Sequence, residues 1–186
     1  YVEVLASFFA AHFQQRWQST RIGHQLEHDS LTGLWNRSRF RSLSRAAFDP
    51  QSSAIAVVDL VQLHALNEKY GHINGDAVMV EVAAALTGAA QDGEIVARVG
   101  GDQYGIFFPS APSREWLLES VRRFGNVFSA EMGLGDREGK DSLPVAARIG
   151  YARAPEDGAN VDDLLLRAEG RARASSQADR LVFPNS

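Results

Sequence analysis

The chain has 186 residues, 45% of them hydrophobic, enough for one compact domain with a buried core and an appended element. Its 19 basic and 23 acidic residues leave a net charge of -4, which argues against a general nucleic-acid binder, whose basic face would show in the totals. Cysteine is absent, which excludes disulfides and thiolate metal sites and suits a cytoplasmic protein; no apolar run approaches the ~18 residues of a membrane-spanning helix.

The chain opens on Tyr1 rather than methionine, without a signal-peptide pattern, so it is expected to be a piece of a larger protein with an upstream sensor or a downstream domain. Residues 1–28 hold no proline and one glycine, Gly23. Leu5, Phe9, Phe13 and Trp17 recur every four residues and share one helical stripe, which Ile22 and Leu26 extend less regularly. The stretch reads as a long N-terminal helix. It either packs on its own domain or pairs with a second copy as a signalling helix, although its heptads are imperfect for a coiled coil.

Residues 29–186 read as the domain proper. Ala54 to Val58 is a short continuous apolar run, expected as a strand buried on both faces. Asn74 is expected to cap a helix through Val78, Val82 and Leu86. Ile95 to Val99 and Tyr104 to Phe108 read as two strands joined through Gly100 and Gly101, a tight-turn signal. Ser113 is expected to cap a helix through Trp116, Leu117, Val121 and Phe124. Gly133 to Ser142 reads as a loop and Val145 to Tyr151 as a strand. Asn160 with Asp163 resembles a capping box ahead of Leu164, Leu165 and Leu166, and Leu181 to Phe183 reads as a last short strand. The pattern predicts an α/β (α+β) domain: a mixed, mostly antiparallel sheet of about five strands flanked by helices.

Four local patterns carry chemistry. They are Asp29-Ser30-Leu31-Thr32-Gly33-Leu34-Trp35-Asn36-Arg37, the strand end Val57-Val58-Asp59-Leu60, Asn67-Glu68-Lys69-Tyr70-Gly71-His72-Ile73-Asn74-Gly75-Asp76, and Arg98-Val99-Gly100-Gly101-Asp102-Gln103-Tyr104. Asp59 and Asp102, brought together, could hold Mg²⁺, which takes oxygen ligands and often one or two carboxylates plus phosphate. The Gly100-Gly101 turn lets a phosphate approach the backbone closely. Asn67 and Asp76 pair an amide with a carboxylate, able to read the donor and acceptor edges of a purine. Singly, each also reads as ordinary structure: a strand-end acid, helix caps, a plain hairpin. The five histidines do not form a metal-ligand spacing, and Trp17, Trp35 and Trp116 read as packing residues.

Together these patterns resemble the GGDEF family of diguanylate cyclases. The Asp-x-Leu-Thr-Gly-Leu-x-Asn-Arg signature stands intact at 29–37 and the Asn-x-x-Tyr-Gly-His-x-x-Gly-Asp signature at 67–76. The resemblance spans roughly residues 29–184 and implies a ferredoxin-like, nucleotidyl-cyclase-palm fold. It implies condensation of two GTP molecules into cyclic di-GMP between two facing domains, hence a homodimer. It further implies that Asp59 and the Leu60 carbonyl bind Mg²⁺ and that Asp102 binds metal and helps activate the attacking hydroxyl. Asn67 and Asp76 would hold guanine, the amides around Leu63 and His64 would cradle terminal phosphates, and Arg98 would support the site.

The chain departs from the family pattern at several positions. Gln103 stands where the family has an acid, and an amide can neither hold Mg²⁺ as an anion nor accept a proton as a carboxylate does. Val61 replaces a common second acid. In the last helix Ser176 takes the place of a phosphate-binding lysine and Asp179 that of a glycine, while Arg180 matches a family arginine. The product-inhibition pattern Arg-x-x-Asp reads Gln91-Asp92-Gly93-Glu94, without its arginine. The guanine-reading residues survive, as do the acids Asp59 and Asp102, whereas the acid at position 103 and the phosphate-binding lysine do not. The expectation is therefore a degenerate module that binds GTP or cyclic di-GMP with little or no turnover. The alternatives are a weakly active cyclase and a ligand-free dimerisation relay.

Overall fold

The computed structural model describes residues 26–61, 63–128 and 145–174. The expected N-terminal stripe from Leu5 to Ile22, the loop at 133–142, Ser176, Asp179, Arg180 and the strand at 181–183 lie outside the described residues.

Five strands, β1 (Trp35–Asn36), β2 (Ala54–Val61), β3 (Ile95–Arg98), β4 (Gln103–Phe108) and β5 (Ala146–Arg153), form one sheet in the order β1-β3-β4-β2-β5. β2 runs antiparallel to both β4 and β5, β3 is antiparallel to β4, and β1 lies parallel to β3. Among the described residues five named helices accompany it: α1 (Arg37–Ala46), α2 (Leu63–Tyr70), α3 (His72–Ala89), α4 (Arg114–Gly125) and α5 (Val161–Ala174). The mixed, mostly antiparallel sheet flanked by helices is the architecture expected, with β1 as its fifth described strand.

The central strand explains the layering. Along β2 successive side chains alternate between faces. Ala54, Ala56, Val58 and Leu60 join Val78, Val82 and Leu86 of α3 and Leu117 and Phe124 of α4 in one core. Ile55 and Val57 join Phe40 of α1 and Leu164, Leu165, Ala168 and Ala172 of α5 in the other. Helices cover both faces, so the strand carries no polar side until Asp59, which is partly exposed on the α1–α5 face. Large side chains such as Phe40, Phe107, Phe108 and Phe124 are fully buried, each stabilising the fold by about 1.5–3 kcal/mol. Tyr104 is equally buried, and its hydroxyl donates to the Met79 carbonyl at 2.7 Å. Burial pushes this phenol well above its ordinary range, and the hydrogen bond ties β4 to α3.

Two caps form as the sequence foretold. The Ser113 side chain accepts from Trp116 N at 3.1 Å, and Asn160 Oδ1 accepts from Asp163 N at 3.0 Å while Asp163 reaches back to Ala159 N at 3.2 Å. The cap expected at Asn74 does not form. The cap position of α3 lies three residues earlier, at Gly71 (φ 85°), which makes no side-chain cap. The reversal at Gly71 places Asn74 within α3's first turn, where its Nδ2 donates to the Tyr70 carbonyl at the end of α2 at 2.6 Å. Helices α1 and α2 are additions to the sequence reading. Asn36 caps α1, its side chain accepting from Arg39 N at 3.0 Å.

Candidate functional site

The end of β2 and the β3–β4 turn form one unit. Asp59 and Gln103 are direct cross-strand partners, and Gln103 Nε2 donates to Asp59 Oδ1 at 2.8 Å. Val99 N and Gly100 N both donate to Gln103 O, at 2.9 and 3.2 Å, closing the hairpin, and Leu60 N donates to Asp102 O at 3.0 Å. The last bond fixes the exposed Asp102 turn beside the strand that carries Asp59. A Cβ on Gly100 would lie 3.0 Å from Gln103 Oε1, whereas one on Gly101 would meet open space. Gly100 thus lets Gln103 sit close against the turn, and the space beside Gly101 is open.

The Gln103–Asp59 bond depends on the amide, because an ionised glutamate offers no donor. Gln103→Glu sets two carboxylates opposite one another, and like charges directly opposite across strands destabilise. The expected result is a loss of about 1 kcal/mol without divalent cation, restored by millimolar Mg²⁺ and read as the midpoint of thermal unfolding. An unchanged midpoint in both buffers would show that Asp59 and residue 103 are not in contact.

Arg98 supports the same turn from behind. Its Nη1 bonds both oxygens of Asp29, at 3.0 and 3.2 Å, and its Nη2 and Nε donate to the Gly101 carbonyl at 2.6 and 3.2 Å. Asp29 Oδ1 in addition accepts from Thr32 N and Thr32 Oγ1, at 2.9 and 2.8 Å, and Gly33 at φ 72° completes this first turn. The 29–37 signature is therefore a brace for the β3–β4 turn, and Arg98 is the strut between them.

Burial alone would raise the Asp29 carboxyl, but the Thr32 amide, the Thr32 hydroxyl and the Arg98 guanidinium together hold it below its ordinary 3.8. A folded value below the unfolded one gives stability that is present above the unfolded pKa and lost as pH falls through the folded value. Asp29→Asn should flatten the acid limb of a stability–pH curve below about pH 4; an acid limb as steep as that of the unsubstituted chain would contradict this placement.

The second cluster sits where α2 meets α3. The Asn67 side chain packs on Gly75, so closely that a Cβ there would fall 1.8 Å from Asn67 Oδ1. That oxygen is buried and has no hydrogen-bond partner among the described residues. Asp76, the next residue after Gly75, is exposed. An orphaned amide oxygen beside an exposed carboxylate is a pair of acceptors, which suits a ligand edge rich in donors, such as the N–H groups of a guanine edge. Leu63 and His64 open α2, with Leu63 against the first core and His64 exposed, its Nε2 3.3 Å from Glu68.

At the pattern that replaces the inhibition site, Glu94 pairs with Arg123 and its other oxygen accepts from Gln91 N at 2.8 Å. This carboxylate is turned inward and engaged by the protein itself. Trp35 stacks on His28 with ring centroids 4.2 Å apart, and Trp116 meets Phe108 edge-on at 6.0 Å, both as packing residues. One site neighbour escaped the sequence reading: Arg148, which β5 places directly opposite Asp59.

Comparison with known proteins gives a consistent result. The family model described as "Diguanylate cyclase, GGDEF domain" matches residues 26–180. The diguanylate cyclase TpbB of Pseudomonas aeruginosa is 30% identical over 144 residues, covering 75% of this chain and 32% of that protein. An uncharacterized signaling protein of Caulobacter vibrioides is 27% identical over 176 residues, 91% of this chain and 21% of that protein. The chain thus spans a third or less of these two relatives. Among solved structures, the GGDEF domain of TpbB superposes with a TM-score of 0.74 at 28% identity, covering 82% of this chain and 90% of that one. The coiled coil and GGDEF domain of DgcB from Caulobacter crescentus, in complex with c-di-GMP, shares the fold with a TM-score of 0.80 at 22% identity, covering 95% and 94%.

Proposed function

The chain belongs to the GGDEF family of diguanylate cyclase domains, and we propose that within cyclic di-GMP signalling it is a degenerate module that binds GTP or cyclic di-GMP and regulates a partner domain, with little or no turnover. The observation that carries this reading is the Gln103–Asp59 hydrogen bond. It engages a carboxylate oxygen that would otherwise face a metal, and it puts a neutral amide where cyclisation needs charge.

Retained binding follows from the other cluster. Asn67, with its unpartnered buried oxygen, and Asp76 would read the guanine. The amides of Leu63 and His64 at the start of α2 would cradle terminal phosphates, since the free N–H groups of a helix start favour anions. Gly100 and Gly101 would let phosphate approach the turn. Arg98 acts from behind, holding that turn through Gly101, and Arg180 is proposed on the resemblance alone.

Asp59, the Leu60 carbonyl and Asp102 form an all-oxygen donor set of the kind that suits Mg²⁺ arriving with a triphosphate. Once bound there, the ion would neutralise phosphate charge. The protein's own part is positional: the Leu60–Asp102 backbone bond holds the two acids at one strand end.

Retention of both Asp59 and Asp102 favours a second reading, a slow cyclase. In it the 3′-hydroxyl of one GTP attacks the α-phosphate of another held by a facing copy, and pyrophosphate leaves. Two assays decide. Calorimetric titration with GTP and with cyclic di-GMP should show binding that Asp76→Ala abolishes; silence with both nucleotides would leave only a ligand-free relay. Incubation with GTP and Mg²⁺, followed by chromatography, should yield no sustained cyclic di-GMP; steady product would establish the cyclase instead.

A further inference from the structure

The register of the three central strands sets Gln103, Asp59 and Arg148 side by side in one row, because Asp59 pairs with Gln103 on β4 and with Arg148 on β5. Direct cross-strand partners point to the same face, with Cβ atoms about 4.5–5.5 Å apart. Here that face is the one covered by α1 and α5. Two residues along β5, Gly150 is pressed under α5, where a Cβ would fall 2.2 Å from the Ala168 carbonyl. Arg148 lies one pleat beyond that contact, toward the end where Val61 pairs with Ala146 and the chain passes into α2 at Leu63.

Arg148 is partly buried and makes no hydrogen bond or ion pair with any described residue. Other partly buried arginines are committed: Arg37 to Glu169, Arg98 to Asp29, Arg123 to Glu94 and Arg153 to Glu156. Asp59, its nearest acid in the register, is engaged by the Gln103 amide. A partly buried guanidinium with no counter-ion among the described residues is suited to bind an anion, and its planar fork matches phosphate oxygens two at a time.

We propose that Arg148 is a phosphate-binding residue of this site, contacting the β- and γ-phosphates of a bound nucleoside triphosphate between Asp59 and the start of α2. The proposal rests on the guanine-pocket reading for the identity of the nucleotide, but not for its anion chemistry. It makes the site favour a ligand with terminal phosphates over a cyclic dinucleotide, which has none.

The test is calorimetry on the full chain and on Arg148→Ala and Arg148→Lys, with GTP, guanosine, cyclic di-GMP and inorganic tripolyphosphate as probes. A lost charge-assisted contact should weaken GTP about 10-fold or more in Arg148→Ala, with Arg148→Lys intermediate and thermal midpoints unchanged. Guanosine and cyclic di-GMP should stay within about two-fold. Tripolyphosphate should bind the unsubstituted chain and lose that binding in Arg148→Ala. Equal GTP or tripolyphosphate affinity in the two proteins would overturn the proposal, as would an equal loss for guanosine and GTP. Tripolyphosphate binding that depends on Arg148, in a chain that ignores guanosine, would sustain it and remove the guanine pocket. Silence of the unsubstituted chain toward every probe would overturn both.

Discussion

Gly150→Ala is expected to lower stability by about 3 kcal/mol or more, the upper end of what overpacking one methyl into a close-packed interior costs. The added Cβ would lie 2.2 Å from Ala168 O, 2.3 Å from Ala172 N and 2.9 Å from Arg171 C. All three are backbone atoms of α5, so no rotamer change relieves the clash. The helix must move off the sheet, and it carries Leu164, Leu165, Ala168 and Ala172 into the second core. Against a typical total of 5–15 kcal/mol, such a loss should bring the thermal midpoint down by roughly 6–12 °C for a chain of this size. Circular dichroism melts would read it. Gly170→Ala supplies the control on the same helix: nothing lies within 4 Å of its Cβ, and removing an exposed mid-helix glycine should stabilise by up to about 1 kcal/mol. Melting of Gly150→Ala within a degree or two of the parent would mean that α5 does not sit on β5 as described.

Gly75→Ala should separate function from stability in the opposite sense. Its Cβ would fall 1.8 Å from Asn67 Oδ1 and 2.8 Å from Asn67 Cγ. These atoms belong to the tip of a side chain, which can swing aside, and alanine is the better helix former by about 1 kcal/mol. The midpoint should therefore hold or rise. The amide that would face guanine is displaced, however, and the loss of one buried reading group together with misplacement of its neighbour should weaken GTP about 100-fold. Calorimetry paired with a melt reads both quantities. Unchanged GTP affinity in a stably folded Gly75→Ala protein would remove Asn67 from the base pocket.

The elements legible in the sequence were those whose signals are local. The apolar run of β2, the Gly-Gly hairpin and the caps at Ser113 and Asn160 each declare themselves within a few residues. β1 is only two residues long, too short for a period to register. α1 is mostly polar with Phe40 as its one large buried side chain, so it shows little of an apolar stripe. Asn74 misled because its residue type is right for a cap, while the positive φ at Gly71 decides where α3 starts. In the site, the motif acids and amides were visible by type and spacing. Their partners were not: the Gln103–Asp59 bond, the Arg98–Asp29 strut, the Glu94–Arg123 pair and the placement of Arg148 all join distant segments. Such pairings arise from strand register and from how helices and turns dock on the sheet, which no short window of sequence contains.

The two residues proposed to read guanine belong to different helices, Asn67 to α2 and Asp76 to α3. Gly71 joins those helices at φ 85°, and a Cβ there would touch nothing within 4 Å. Torsion rather than crowding therefore sets that corner, and the Asn74–Tyr70 bond and the Asn67–Gly75 contact clasp it from either side. A side chain at position 71 would strain the corner whatever space surrounds it, so the spacing of the two proposed base-reading groups is tied to this glycine.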